Sequence, residues 1–268
     1  MRAYFELAKK SFQEMLSSRG EALIRLLAML LSLYLLYTFW KGLYAGTAEV
    51  QGMTFSTMLT YAVLSVVTGG ILNIFGLLQV YVAYWMARKM RSGEIVMDML
   101  RPTDFQLSLF SHSTGRFAFN LLFSVPVAGI AFLVFKLKPP TGFRALLLFL
   151  ASLAISYLLV FLIDFLVSLI AFWTTQTRGV GGFTRLIIAL LSGSFIPLWF
   201  FPVWARNALS WLPFASIYHA PLSIFIGKLQ GGEALRTIAV QVAWVIVLFA
   251  VSRLLWSRSR RHLMIHAG

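Results

Sequence analysis

A chain of 268 residues in which 59% are hydrophobic and 12% charged, with a mean hydropathy of +0.82, cannot clothe itself in a water-soluble surface. Such a surface needs about a quarter of its residues charged, so much of this exterior faces lipid. The net charge of +14 sits at the ends of apolar runs, which reads as membrane topology and not as nucleic-acid binding, and the lack of cysteine excludes disulfides, thiolate metal sites and cysteine nucleophiles.

Residues 1–20 carry Arg2, Glu6, Lys9, Lys10, Glu14 and Arg19, which leaves no uninterrupted apolar stretch of the kind a cleavable signal peptide has. Met1, Phe5, Ala8, Phe12 and Met15 recur at spacings of four and three, one helical face. The segment reads as an amphipathic helix in the headgroup plane, the alternative being a cytoplasmic helix packed on protein. Residues 21–268 read as one transmembrane domain. Its first span runs from about Leu26 to Tyr44, and a short polar loop, Gly46 to Thr54, follows. The second apolar run, Phe55 to Met86, exceeds the roughly 20 residues a bilayer needs, and Gly69, Gly70, Asn73 and Gly76 interrupt it, which suits a bent or closely packed helix. Residues 87–117 form the longest polar stretch. Spans three and four are expected at about Phe117 to Phe135 and Ala145 to Trp173, with Lys136, Lys138, Pro139 and Pro140 turning the chain between them.

A fifth span begins near Phe183 and stays regular only to about Ser194, short for a full crossing. In residues 195–235, Pro197, Pro202, Pro213 and Pro221 are expected to break any helix. Phe195, Trp199, Phe200, Phe201, Trp204, Trp211, Phe214 and Tyr218 give the segment an interfacial composition. It reads as one or two half-helices that dip into the membrane and return. The sixth span is about Thr237 to Trp256, followed by Arg258, Arg260, Arg261 and His262. With both termini placed in the cytoplasm, sixteen of the 23 basic residues fall on that side, as the positive-inside rule requires. The expected fold is therefore an all-α membrane protein of six transmembrane helices, with an interfacial helix before them and a re-entrant segment between spans five and six.

The chain contains no P-loop, no H-E-x-x-H, no G-x-S-x-G and no paired-aspartate magnesium motif. Its four histidines are scattered, and nine acidic residues are too few for much acid–base or metal chemistry. Asp164 alone among them sits within an apolar run. It is either a counter-charge for a cationic substrate or a structural partner for a neighbouring arginine, serine or backbone group. In residues 92–102, Ser92 can cap and Gly93 breaks from what precedes. Ile95, Val96, Met99 and Leu100 share an apolar face, Glu94 and Asp98 stack four apart, and Pro102 stops the helix. Such a helix docks in another protein's groove or packs on its own bundle. Three function classes remain: a transporter subunit, a membrane enzyme, and a non-transporting scaffold or assembly protein.

Met90-Arg91-Ser92-Gly93-Glu94 with Met99-Leu100-Arg101-Pro102, then Leu191-Ser192-Gly193 through Ile196-Pro197-Leu198-Trp199-Phe200-Phe201-Pro202 with Leu212-Pro213-Phe214 and Pro221, and finally the basic end after span six, resemble the permease subunits of type-2 ABC transporters, mostly exporters. The resemblance is strongest to the bacterial half-size branch and covers nearly all of the chain. It implies a division of labour. A separate cytoplasmic P-loop ATPase would bind ATP and magnesium, so this chain would hold no cofactor and would not itself be an enzyme. Two permease subunits, identical or related, would form the path in the bacterial inner membrane. The amphipathic N-terminal helix and a cytoplasmic coupling segment at about 88–116 would meet the ATPase, the latter through Glu94, Ile95, Asp98, Met99, Leu100, Arg101 and Pro102. The re-entrant segment at about 195–235 would be built on Gly193, Pro197, Trp199, Pro202 and Pro213.

Overall fold

The computed structural model describes residues 2–72, 82, 85, 86, 88, 89, 92–99, 103–170 and 177–266. Apart from a two-residue hairpin, its regular structure is helical. Helix α1 (Arg2–Ser17) leads through Ser18 into α2 (Arg19–Leu43). The hairpin pairs β1 (Glu49–Val50) with β2 (Met53–Thr54) through Gln51 and Gly52, both at positive φ, as a tight two-residue turn needs. Helix α3 (Phe55–Leu72) follows directly, then the short α4 (Glu94–Met99). Beyond these come α5 (Phe105–Phe135), α6 (Phe143–Leu169), α7 (Thr177–Leu191), α8 (Val203–Ser210), α9 (His219–Phe225) and α10 (Gly231–His266).

Five of these elements, within α2, α3, α5, α6 and α10, are long and apolar enough to cross a membrane. They are not equally placed. Helix α3 is buried along most of its length, with Met58, Thr60, Tyr61 and Ser65 fully enclosed. Helix α2 instead presents Leu23, Ile24, Leu27, Leu30 and Leu31 outward, and α10 presents Ile246, Val247 and Phe249. An unpartnered leucine face of that length is the signature of contact with acyl chains. The core is thus α3 ringed by α2, α5, α6 and α9, with α10 packed on α6 and α1 on α5.

Helix α5, which contains the expected third span, starts twelve residues before the expected 117. Asp104 caps it, its Oδ1 accepting the Leu107 amide at 3.0 Å. The polar residues that suggested a loop serve the helix itself: Ser108, Ser111 and Thr114 each donate to the carbonyl four residues back. The polar stretch 87–117 is therefore helical from Phe105 onward, and residues 105–116 of the expected coupling segment are the first turns of α5. The sixth apolar run is likewise the middle of a longer helix, whose last turns carry Arg258, Arg260 and Arg261. Helix α7 is 15 residues long and ends at Leu191. The second run is described as helix only to Leu72; Asn73 and Gly76 lie outside the described residues. The fifth helix begins earlier than the expected Phe183: residues 177–182, expected to connect spans four and five, already belong to α7, and 171–176 lie outside the described residues.

The prolines of 195–235 begin helices more than they break them. Pro197 precedes a single 3₁₀ turn, Leu198–Phe200, and Pro202 caps α8. Pro221 lies in the first turn of α9, where its missing N–H has no intrahelical partner to lose.

Helix α1 packs its Tyr4, Leu7, Ala8, Ser11 and Met15 side on α5, and Phe12 meets Phe119 edge to face at 6.0 Å. The approach is backbone to backbone: a Cβ on Gly115 would stand 2.0 Å from the Ala8 carbonyl oxygen. Only glycine allows it.

Candidate functional site

Two constellations, at opposite ends of the bundle, carry the residues singled out in the sequence. The first surrounds α4. Gly93, at φ +73°, separates α4 from the preceding helical turn. Ser92 closes that turn and does not cap α4: its amide donates to the Arg88 carbonyl at 3.0 Å and its hydroxyl to Lys89. Ile95 is 3% exposed and roots α4 in an apolar cluster with Val82, Met86, Phe105, Leu109, Phe165 and Trp256. Phe105 and Trp256 stack in parallel at 4.5 Å. Asp98 turns inward as well, paired with Lys89, whose ammonium also lies 4.3 Å from the centre of the Trp85 ring. The outward face consists of Glu94 and Met97, the latter 67% exposed. The expected face of Ile95, Val96, Met99 and Leu100 thus has its one described side chain, Ile95, inside the protein. Leu100, Arg101 and Pro102 lie outside the described residues, as do the side chains of Val96 and Met99.

Beside α4, Asp104 joins three helices. It caps α5, pairs with Arg253 of α10 at 2.6 Å, and its amide donates to the Tyr4 hydroxyl of α1 at 3.0 Å. Burial works to raise this carboxyl. The Leu107 amide and the Arg253 guanidinium outweigh it and hold the group below the usual carboxylate range. Gln106 donates to Ser252 at 2.8 Å one turn further in.

The second constellation is the break after α7. Gly193 sits at φ +82°, and a Cβ there would lie 2.8 Å from Leu198 Cδ1 and 3.1 Å from the Tyr61 hydroxyl. The carbonyls freed by the break are taken up by α3: Tyr61 donates to Gly193 at 2.7 Å and Ser65 to Ser194 at 2.5 Å. The His219 amide donates back to Ser192 at 3.0 Å, closing the segment on itself. Irregular backbone among spanning helices requires this satisfaction by protein. Trp199 lies edge-on to Tyr61 at 5.2 Å and near His219 at 5.1 Å. Pro197 and Pro213 are buried, while Pro202 is exposed at the start of α8. Gly193, Pro197 and Trp199 are therefore brought together; Pro202 is not part of that packing.

Asp164, on α6, accepts the Val82 amide at 3.1 Å through Oδ2, and the Arg185 guanidinium of α7 attracts it. Both partners belong to the protein's own framework. Sequence reasoning missed Gln241, fully buried on α10. It accepts from the Ser152 hydroxyl at 2.8 Å and donates to the Ser216 carbonyl at 2.7 Å, and Ser156 donates to the same carbonyl at 3.1 Å. This knot joins α6 and α10 to the strand of chain entering α9. The available signal was a lone amide in the middle of an apolar run.

These features describe a helical membrane bundle with a rooted surface helix at one end and a hydrogen-bonded helix break at the other. No curated protein matches the chain. Residues 27–266, from within α2 to the end of α10, match the family described as ABC-2 family transporter protein. The chain belongs to that family and is a membrane permease component of an ABC transporter.

Proposed function

We propose that this chain forms half of the transmembrane path of an ATP-driven exporter of the bacterial inner membrane, with both termini cytoplasmic. A second permease subunit, a copy or a related chain, supplies the other half. A separate P-loop ATPase binds ATP and magnesium and docks on α4. The observation that carries the docking is the division of α4 into a buried root and an exposed face. Ile95 and Asp98 fix the helix to the bundle, and Glu94 and Met97 are left for a partner. A push on α4 then reaches the stacked Phe105 and Trp256, and through them α5 and α10.

In this reading α7 and residues 195–235 make the fifth span together, re-entering the membrane from the far side, which gives six spans. Helix α1 lies at the cytoplasmic interface, with one side on α5. Asp164 serves the framework, since it accepts a backbone amide and is attracted by an arginine, both of neighbouring segments. The family membership disfavours the scaffold and enzyme readings.

The test is an affinity pull-down of the full chain from native membranes in mild detergent, with stoichiometric partners identified. A P-loop ATPase equal in copy number to total permease is expected, and it also shows whether the second permease is the same chain. Recovery of other membrane complexes without any ATPase would overturn the reading in favour of a scaffold.

A further inference from the structure

Helix α1 lies before residue 27 and so outside the stretch that matches the transporter family. Its surface divides into three sides. Tyr4, Leu7, Ala8, Ser11 and Met15 face α5. Next round the helix come Phe12, Phe5 and Leu16, with Phe5 69% and Leu16 53% exposed. Polar residues fill the rest. At 100° per residue, the first two polar side chains met beyond Leu16 are Lys9 and Arg2, both exposed, with Gln13 and Glu6 further on. Glu14 turns the other way, 3.8 Å from His112 Nε2 on α5. The apolar stripe is therefore edged by two cations, while the carboxylates stand away from it.

What covers the stripe follows from its continuation. One residue, Ser18, separates α1 from α2, whose outward Leu23, Ile24, Leu27 and Leu30 form a spanning face. A stripe that runs into a lipid-facing helix, bordered by cations whose long stems can snorkel, has the chemistry of a helix seated among anionic headgroups. We propose that α1 binds anionic phospholipid through Lys9 and Arg2, with Phe5 and Leu16 in the acyl boundary. This rests on the interfacial placement of α1 given above. Because Tyr4 of α1 holds the Asp104 amide and Asp104 holds Arg253, the lipid also sets the level at which α5 and α10 enter the membrane.

The chain has no cysteine, so Phe5→Cys gives a unique fluorophore site in the full-length protein. It is reconstituted in vesicles of equal parts phosphatidylcholine and phosphatidylglycerol, and quenched by nitroxide carried on one lipid or the other. Nitroxide-phosphatidylglycerol is expected to quench better. The preference should fall about fivefold for each of Arg2→Gln and Lys9→Gln, about thirtyfold for both. A label at Leu133→Cys, exposed at the far end of α5, should show no such response and reports on intact folding. Equal quenching by both lipids, unmoved by the substitutions, would leave α1 in the interface and overturn the anionic-lipid inference. No quenching by either would show α1 in water or under protein, and would overturn the placement as well.

Discussion

Replacing Gly115 with alanine should detach α1 while leaving the bundle folded. The added Cβ would stand 2.0 Å from the Ala8 oxygen, whereas ordinary contact begins at 3.4 Å, so α1 must retreat by about 1.4 Å. That opens the 3.0 Å bond between the Tyr4 hydroxyl and the Asp104 amide, a loss of about 1 kcal/mol. It also thins the packing around the buried Met15, whose enclosure contributes about 2 kcal/mol, by roughly half. Alanine is the better helix former by up to ~1 kcal/mol, which offsets part of this. The net expectation is about 1 to 2 kcal/mol lost from the docking of α1. Gly129 provides the control: it lies on the same helix, and a Cβ there meets nothing within 4 Å, so Gly129→Ala should be neutral or stabilising. Amide exchange across residues 2–17 is the assay. It should quicken about tenfold in Gly115→Ala and not at all in Gly129→Ala. Exchange in Gly115→Ala at the wild-type rate would refute the close approach and the fixed α1 built on it.

The two carboxylates of α4 should behave differently. Glu94→Lys is expected to lower recovery of the ATPase in a pull-down without changing membrane insertion, whereas Asp98→Asn deprives Lys89 of its partner and should lower stability by about 1 to 3 kcal/mol, read by thermal unfolding in detergent. Gly193→Ala meets a left-handed backbone and a clash with Leu198, and should cost about 2 to 3 kcal/mol; a wild-type melting curve would count against the break as drawn. In the knot at Gln241, a double-mutant cycle of Gln241→Leu with Ser152→Ala should return a coupling of about 0.6 to 1.7 kcal/mol, and additive effects would mean that the 2.8 Å bond contributes nothing.

The spanning helices were legible because lipid imposes one simple demand, a long apolar run, which α2, α6 and α10 meet openly. What the chain hid was polar chemistry satisfied at close range. Ser108, Ser111 and Thr114 looked like loop residues, yet their hydroxyls return to their own helix, so α5 begins at Phe105 and not at 117. Spacing placed Glu94 and Asp98 on one edge of α4, and it is Lys89, nine residues upstream, that draws Asp98 inside. Gly115 gives no local sign of its role, since the backbone it admits belongs to Ala8 on another helix. The break at 193–202 was visible through its prolines, but the side chains that satisfy it, Tyr61 and Ser65, sit unmarked within an ordinary apolar helix.

The two ends of the bundle are held by different chemistry, and this bears on which can move. Around the break, the acceptors are buried backbone carbonyls, met at fixed positions by hydroxyls of α3 and α6 and by Gln241. Displacement by an ångström or two leaves those carbonyls without a donor in an apolar surround, which is costly. Around α4, the ties are a lysine and an arginine reaching carboxylates on long stems, together with stacked rings of Phe105 and Trp256. Flexible stems follow their partners, and ring faces slide over one another with little loss of contact. A force applied at α4 therefore meets a compliant joint first and a rigid frame only at the far end, so the helices between should tilt about the break and not unfold at it.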